Sequence, residues 1–152
     1  MRNKMNAKKI VVYDIKFDSK FEAETYLALR EMEKLGEVKD IMLQIPITII
    51  PSFTFGTSGV RKSEIIVDFK FDYYVEGHGW VEIYLETKGF QTEVSKIKIK
   101  LLKFLKKDLR KEMLFTYLLY KGRAYNNIAK QREMLLDFIN KHLKVDKYAE
   151  KC

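Results

Sequence analysis

The chain has 152 residues, 47% apolar and 13% aromatic, enough for one hydrophobic core and too short for a second domain of useful size. Its formal charge of +8 suits a polyanionic partner, although surplus surface lysine on an ordinary soluble protein gives the same figure. One cysteine, Cys152, and two histidines exclude an internal disulfide and leave little for a zinc cluster or a Cys/His nucleophile. No run of about 18 apolar residues is present, so no membrane span is expected, and a cytoplasmic setting in a bacterial host cell is the expectation for localisation.

Residues 1–12 read as a flexible basic arm, because Met1–Lys9 lacks the apolar stretch of a secretory signal. A helix starts near Ser19, with Phe21, Thr25, Ala28, Met32 and Leu35 as its buried stripe and Gly36 as its stop. Asp40 to Ile50 is a β-type run. Pro46 interrupts it and Pro51 ends it, which points to an edge strand or a bulge. Pro51 to Ser63 reads as a loop. Two strands follow, Glu64–Val75 and Trp80–Lys88, joined by the turn Glu76-Gly77-His78-Gly79. In the next helix, Glu93 to Arg110, Val94, Ile97, Leu101, Phe104 and Leu105 form the apolar face, and Lys96, Lys100, Lys103, Lys107 and Arg110 form a basic stripe. Met113–Tyr120 is apolar almost throughout and reads as a strand buried on both faces. A last amphipathic helix spans Asn127 to Leu143, and 144–152 is a frayed tail. The order is α-β-β-β-α-β-α: one α/β domain over 1–152, with a mixed sheet flanked by helices. The helix between the third and fourth strands is a crossover, which favours a parallel pair there.

Chemistry concentrates on the hairpin. The pattern acid-x-Lys occurs five times in this Lys-rich chain, so spacing alone selects none of them. Glu86 and Lys88 close an apolar strand and share a face by alternation. Asp68 interrupts the apolar run Ile65-Ile66-Val67-Asp68-Phe69, where a carboxylate is costly unless it is paired or bound to a cation. Register decides whether the two acids meet. A three-residue loop, Glu76–His78, sets Asp68 opposite Glu86, whereas a two-residue loop turns Asp68 to the other face. Two adjacent carboxylates can hold a hard divalent cation such as Mg²⁺, which activates water and steadies charge on a phosphate, while a nearby ammonium assists. A cross-strand salt bridge between Lys88 and one carboxylate explains the same residues without catalysis.

The segments Ile66-Val67-Asp68-Phe69 and Leu85-Glu86-Thr87-Lys88-Gly89 resemble the PD-(D/E)XK nuclease superfamily, with Val67 standing where a proline is expected. The Glu-Thr-Lys-Gly ending is similar to that of phage Holliday-junction resolving endonucleases. Those enzymes carry a further glutamate on the first helix, in a segment like Phe17-Asp18-Ser19-Lys20-Phe21-Glu22. The resemblance spans roughly Phe17 to Tyr120. It implies a restriction-endonuclease-like core in which Glu22, Asp68, Glu86 and the Thr87 carbonyl are ligands of Mg²⁺ or Mn²⁺ and Lys88 is the catalytic lysine. For Glu22 a capping box, Ser19-x-x-Glu22, is the competing explanation. Gln44 resembles a glutamine recurrent in related phage proteins but reads here as an ordinary exposed strand position. His78 in the turn and His142 on the last helix read as surface residues.

The function implied is metal-dependent endodeoxyribonuclease activity on branched or structured DNA, from a phage or prophage, by a homodimer. Arg61, Lys62, Gln91, Lys96, Lys100 and Lys103 are the candidate DNA contacts, toward backbone and shape rather than base edges. The alternatives are a nuclease of the same fold with a restriction- or transposition-type target, and a DNA-binding accessory protein without catalysis. A GxxxxGK[ST] phosphate loop is absent from the sequence, so ATP-driven work is not indicated.

Overall fold

The structure is a computed structural model that describes residues 9–88, 92–105, 107, 113–119, 130, 132–137 and 139–141, with 88 and 113–119 described through their backbone alone. The N-terminus is a small hairpin of β1 (Ile10–Val12) and β2 (Ile15–Phe17). Tyr13 and Asp14 both take positive φ (48° and 62°), the left-handed pair of a tight two-residue turn. The arm expected over 1–12 therefore ends in a paired strand, and residues 1–8 lie outside the described residues. These strands are too short to show a period in the sequence.

Helix α1 (Lys20–Lys34) is capped by Ser19, whose hydroxyl accepts the Glu22 N–H at 3.1 Å. It ends at Gly36, where φ is +73°. Phe21, Thr25, Ala28 and Met32 are buried as expected, and Ala23, Tyr26 and Leu29 join them. Leu35 does not: it is the C-cap, where the chain leaves the helix, and is 62% exposed.

The central sheet has the order β3-β6-β7-β8. Strand β3 (Val38–Ile50) is antiparallel to β6 (Ser63–Val75) and forms an edge, as Pro46 requires. β7 (Gly79–Lys88) is antiparallel to β6, and β8 (Met113–Leu119) is parallel to β7, as the crossover implied. Whether β8 is buried on both faces lies outside the described residues. Between β3 and β6, β4 (Phe53–Phe55) and β5 (Ser58–Val60) form a hairpin where a plain loop was expected. All six of its strand residues are exposed, and each strand is only three residues long, too short for alternation to mark it; Gly56, at φ +61°, makes the turn.

Odd-numbered residues of the inner strands form the core face: Val67, Phe69, Phe71, Tyr73, Ile83 and Leu85 are buried. Phe21, Leu29 and Met32 of α1 cover this face, together with Leu135 and Ile139 from the helical residues 132–137 and 139–141. Those residues lie within the last helix expected from the sequence, whose ends, with His142 and the tail 144–152, are outside the described residues. Arg132 ties this segment to Glu37 by an ion pair, and the Tyr73 hydroxyl donates to Asn140 at 3.2 Å. Helix α2 (Glu93–Leu105) lies along the other side of the sheet, near Glu64, Ile66 and Glu86. It docks through Ile99 and Leu102, whereas Val94, Ile97, Phe104 and Leu105 are exposed and Leu101 is half-buried. The helix carries two apolar stripes, and the sheet takes the one not expected. Among the described residues, no helix is long and apolar enough to cross a membrane.

Leu29→Ala should cost about 2–5 kcal/mol through loss of packing and an unfilled cavity. Leu35→Ala on the same helix should stay within about 0.5 kcal/mol. Urea unfolding midpoints of the two variants measure the contrast.

Candidate functional site

The β6–β7 turn decides what meets at the far end of the hairpin. Val75 pairs with Gly79 across the three-residue loop 76–78, and the ladder runs unbroken back to Phe69↔Leu85. The next pair in that register is Asp68 with Glu86. There, backbone-to-backbone pairing gives way to side chains. The Asp68 N–H donates to Glu86 Oε2 at 3.3 Å, and the Thr87 N–H donates to Asp68 Oδ2 at 2.8 Å. Each carboxylate thus takes a backbone N–H of the opposite strand. The Thr87 hydroxyl adds a second donor to Asp68 Oδ2 at 2.7 Å. Glu86 is only 3% exposed, and Asp68 is half-buried.

From the β3 side, Gln44 stands between the pairs Leu43↔Phe69 and Ile45↔Val67, level with Asp68. Its φ of +52° is unusual for a non-glycine residue in a strand. Gln44 Nε2 donates to Glu22 Oε1 at 3.1 Å and to Asp68 Oδ1 at 3.3 Å, joining α1 to the sheet. The reading of Gln44 as an ordinary strand position is therefore corrected: it is exposed, yet it links two of the acids. Its partner Asp68 follows from the β3–β6 register, which no turn in the sequence reveals because a separate hairpin intervenes.

Glu22 lies in the first turn of α1 between buried Phe21 and Ala23 and is itself 8% exposed. Only half of the capping box forms as expected. Ser19 caps the Glu22 N–H, while the Glu22 carboxyl is held by Gln44 and by backbone at Asp18. Burial raises its pKa from the ordinary 4.5 to about 7, and the negative charges of Asp68 and Asp18 push the same way. The hydrogen bonds from Gln44 and from backbone at Asp18 oppose the rise.

The structure therefore gathers Glu22, Gln44, Asp68, Glu86 and Thr87. The Lys88 backbone continues β7 in register with Leu119, and its side chain lies outside the described residues, as does Gln91. The remaining candidates are dispersed. Arg61 and Lys62 follow the β4–β5 hairpin, and Lys62 pairs with Glu64 at 2.7 Å. Lys96, Lys100 and Lys103 are exposed on α2, and Lys96 pairs with Glu93 at 2.7 Å. Lys107 sits 4.5 Å over the Phe104 ring, and Arg110 is outside the described residues. His78 makes the turn, its N–H donating to the Val75 carbonyl at 3.0 Å.

As the side chains stand, no three His, Cys, Asp or Glu groups among the described residues are close enough to hold a metal ion. The chemistry of the donors nonetheless fits a hard divalent cation. All are oxygens, the Glu22 carboxyl is pushed up by burial and by neighbouring negative charge, and the Gln44 amide nitrogen bridges two of the acids as a cation would.

A family model described as a protein of unknown function (DUF1064) matches residues 2–122. No curated protein and no solved structure matches the chain.

A raised Glu22 pKa stabilises the fold below pH 4.5, and that contribution is lost as pH climbs to about 7. Between those values the melting temperature of Glu22→Gln should therefore gain on that of the wild type, levelling off above pH 7. Thermal melts in chelator across pH 4–8 measure this; parallel curves would contradict the shifted carboxyl.

Proposed function

The chain belongs to the DUF1064 family, and we propose that it is a metal-dependent endodeoxyribonuclease that hydrolyses phosphodiesters in branched or structured DNA. The observation that carries this reading is the linkage of Glu22, Asp68 and Glu86, from three separate elements, through Gln44 and the Asp68 N–H where the β6–β7 ladder ends. A buried acid with a pKa near 7 beside further carboxylates is poor structural economy, because it weakens the fold at neutral pH. Such groups concentrate at functional sites. The β3-β6-β7 antiparallel meander, the α2 crossover and parallel β8 support a restriction-endonuclease-like core and agree with the motif resemblance at Asp68, Glu86 and Lys88.

In this reading Glu22, Asp68 and Glu86, with the Thr87 carbonyl, hold Mg²⁺ or Mn²⁺. The bound cation supplies a Lewis acid that lowers the pKa of water and offsets charge on the phosphate. The chain's own residues do the remaining work. The Thr87 N–H and hydroxyl fix Asp68 in one orientation. Gln44 sets the relation of Glu22 to Asp68 and screens one acid from the other. The resemblance assigns Lys88 to charge stabilisation at the phosphate. The basic composition suits a DNA backbone, and a junction cut on two strands suits a homodimer.

The test is cleavage of a four-way junction and of its linear arms in Mg²⁺ or Mn²⁺. The wild type should nick the junction in preference to linear duplex, and Glu86→Ala or Asp68→Asn should each slow cleavage by about 100-fold or more. A wild type that binds junctions but cuts no DNA with either metal, and binds equally well as Glu86→Ala, would instead be a DNA-binding accessory protein.

A further inference from the structure

A groove of about 330 Å³ lies beside the acidic cluster, between the start of β6 and the first turns of α2. Glu64 and Glu86 are the two acids of its wall, Ile65, Ile66 and Val94 supply apolar surface, and Thr92, Ser95 and Lys98 line the helix side. Lys98 is the one cation among the described residues that line it. It is half-buried, and its ammonium donates to the Glu64 carbonyl at 3.1 Å. That bond uses one of three ammonium donors and neutralises no charge. The Glu64 carboxylate is taken by Lys62, and Lys98 forms no ion pair with a described residue. Lys96, two residues earlier on the helix, is by contrast paired with Glu93 in solvent. A half-buried lysine held at its tip by a neutral carbonyl, with two donors left over a groove, has the features of an anion-binding group.

We propose that this groove is a phosphate subsite, and that Lys98 receives the backbone phosphate next to the one at the Glu86 cluster. The ligand class is a nucleic-acid strand. Its sugar lies along Ile66 and Val94, and its phosphate meets the Lys98 ammonium. The proposal deepens the nuclease reading and rests on it for the identity of the neighbouring phosphate. It also replaces the exposed stripe Lys96, Lys100 and Lys103 as the leading contact on α2.

Binding of the full chain to a labelled four-way junction, in Ca²⁺ across a salt series, tests the subsite separately from cleavage. Lys98→Gln keeps a donor for the Glu64 carbonyl while removing the charge, and Lys98→Arg keeps the charge. The Gln variant should bind about tenfold more weakly, with the slope of log affinity against log salt reduced by about one. The Arg variant should bind within about threefold of the wild type, and all should melt together. In Mg²⁺, Lys98→Gln should raise KM far more than it lowers kcat. Unchanged affinity and slope in the Gln variant would reduce Lys98 to a tie between α2 and β6 and overturn the proposal. A loss as large in Lys103→Gln would do the same, by making the effect one of overall charge. A wild type that binds but never cleaves would defeat the nuclease reading while the salt slope still decides the subsite.

Discussion

The register of one hairpin governs everything at the acidic cluster. Gly77 and Gly79 both take φ near +80°, a conformation that costs a side chain dearly, and between them they close the loop with three residues rather than two. A slip of one residue would turn Asp68 toward the side now filled by Val67, Phe69 and Phe71, and an aromatic toward the side now holding the carboxylate. The core and the cluster therefore enforce the same pairing. Stability at one end of the sheet fixes which side chains come together at the other.

Glu22 links the two in another way. It belongs to a helix turn whose neighbours Phe21 and Ala23 are buried in the core, and it is itself only 8% exposed. The packing of α1 holds an acid where acids repel, and Gln44 and backbone at Asp18 only partly relieve it. Holding an acid in this way costs folding energy once the carboxyl ionises.

What was legible in the sequence was local. The α1 cap at Ser19, its stop at Gly36, the β6-turn-β7 unit and the β7–α2–β8 crossover each lie within a short stretch whose turn residues and hydrophobic period agree. What failed to show depended on contacts between distant segments. Two apolar stripes compete on α2, and only the finished sheet decides that Ile99 and Leu102 face inward. The β1–β2 and β4–β5 strands are three residues long, below the length at which alternation is readable. Gln44 reaches the cluster through a register fixed across an inserted hairpin, and Lys98 through the docking angle of a helix.

The irregularities of β3 bear on more than the cluster. At thirteen residues, an edge strand this long, if flat, would offer a row of free amides and carbonyls to any passing chain. Pro46 removes one donor from that row. Left-handed residues at Asp40 and Gln44, with register shifts at Lys39/Met42 and Thr48/Ile50, break the row's straight course. The same kink that accompanies Gln44's contact with the two acids makes the sheet a poor template for strand addition, and so guards a concentrated, aromatic-rich chain against edge-to-edge aggregation.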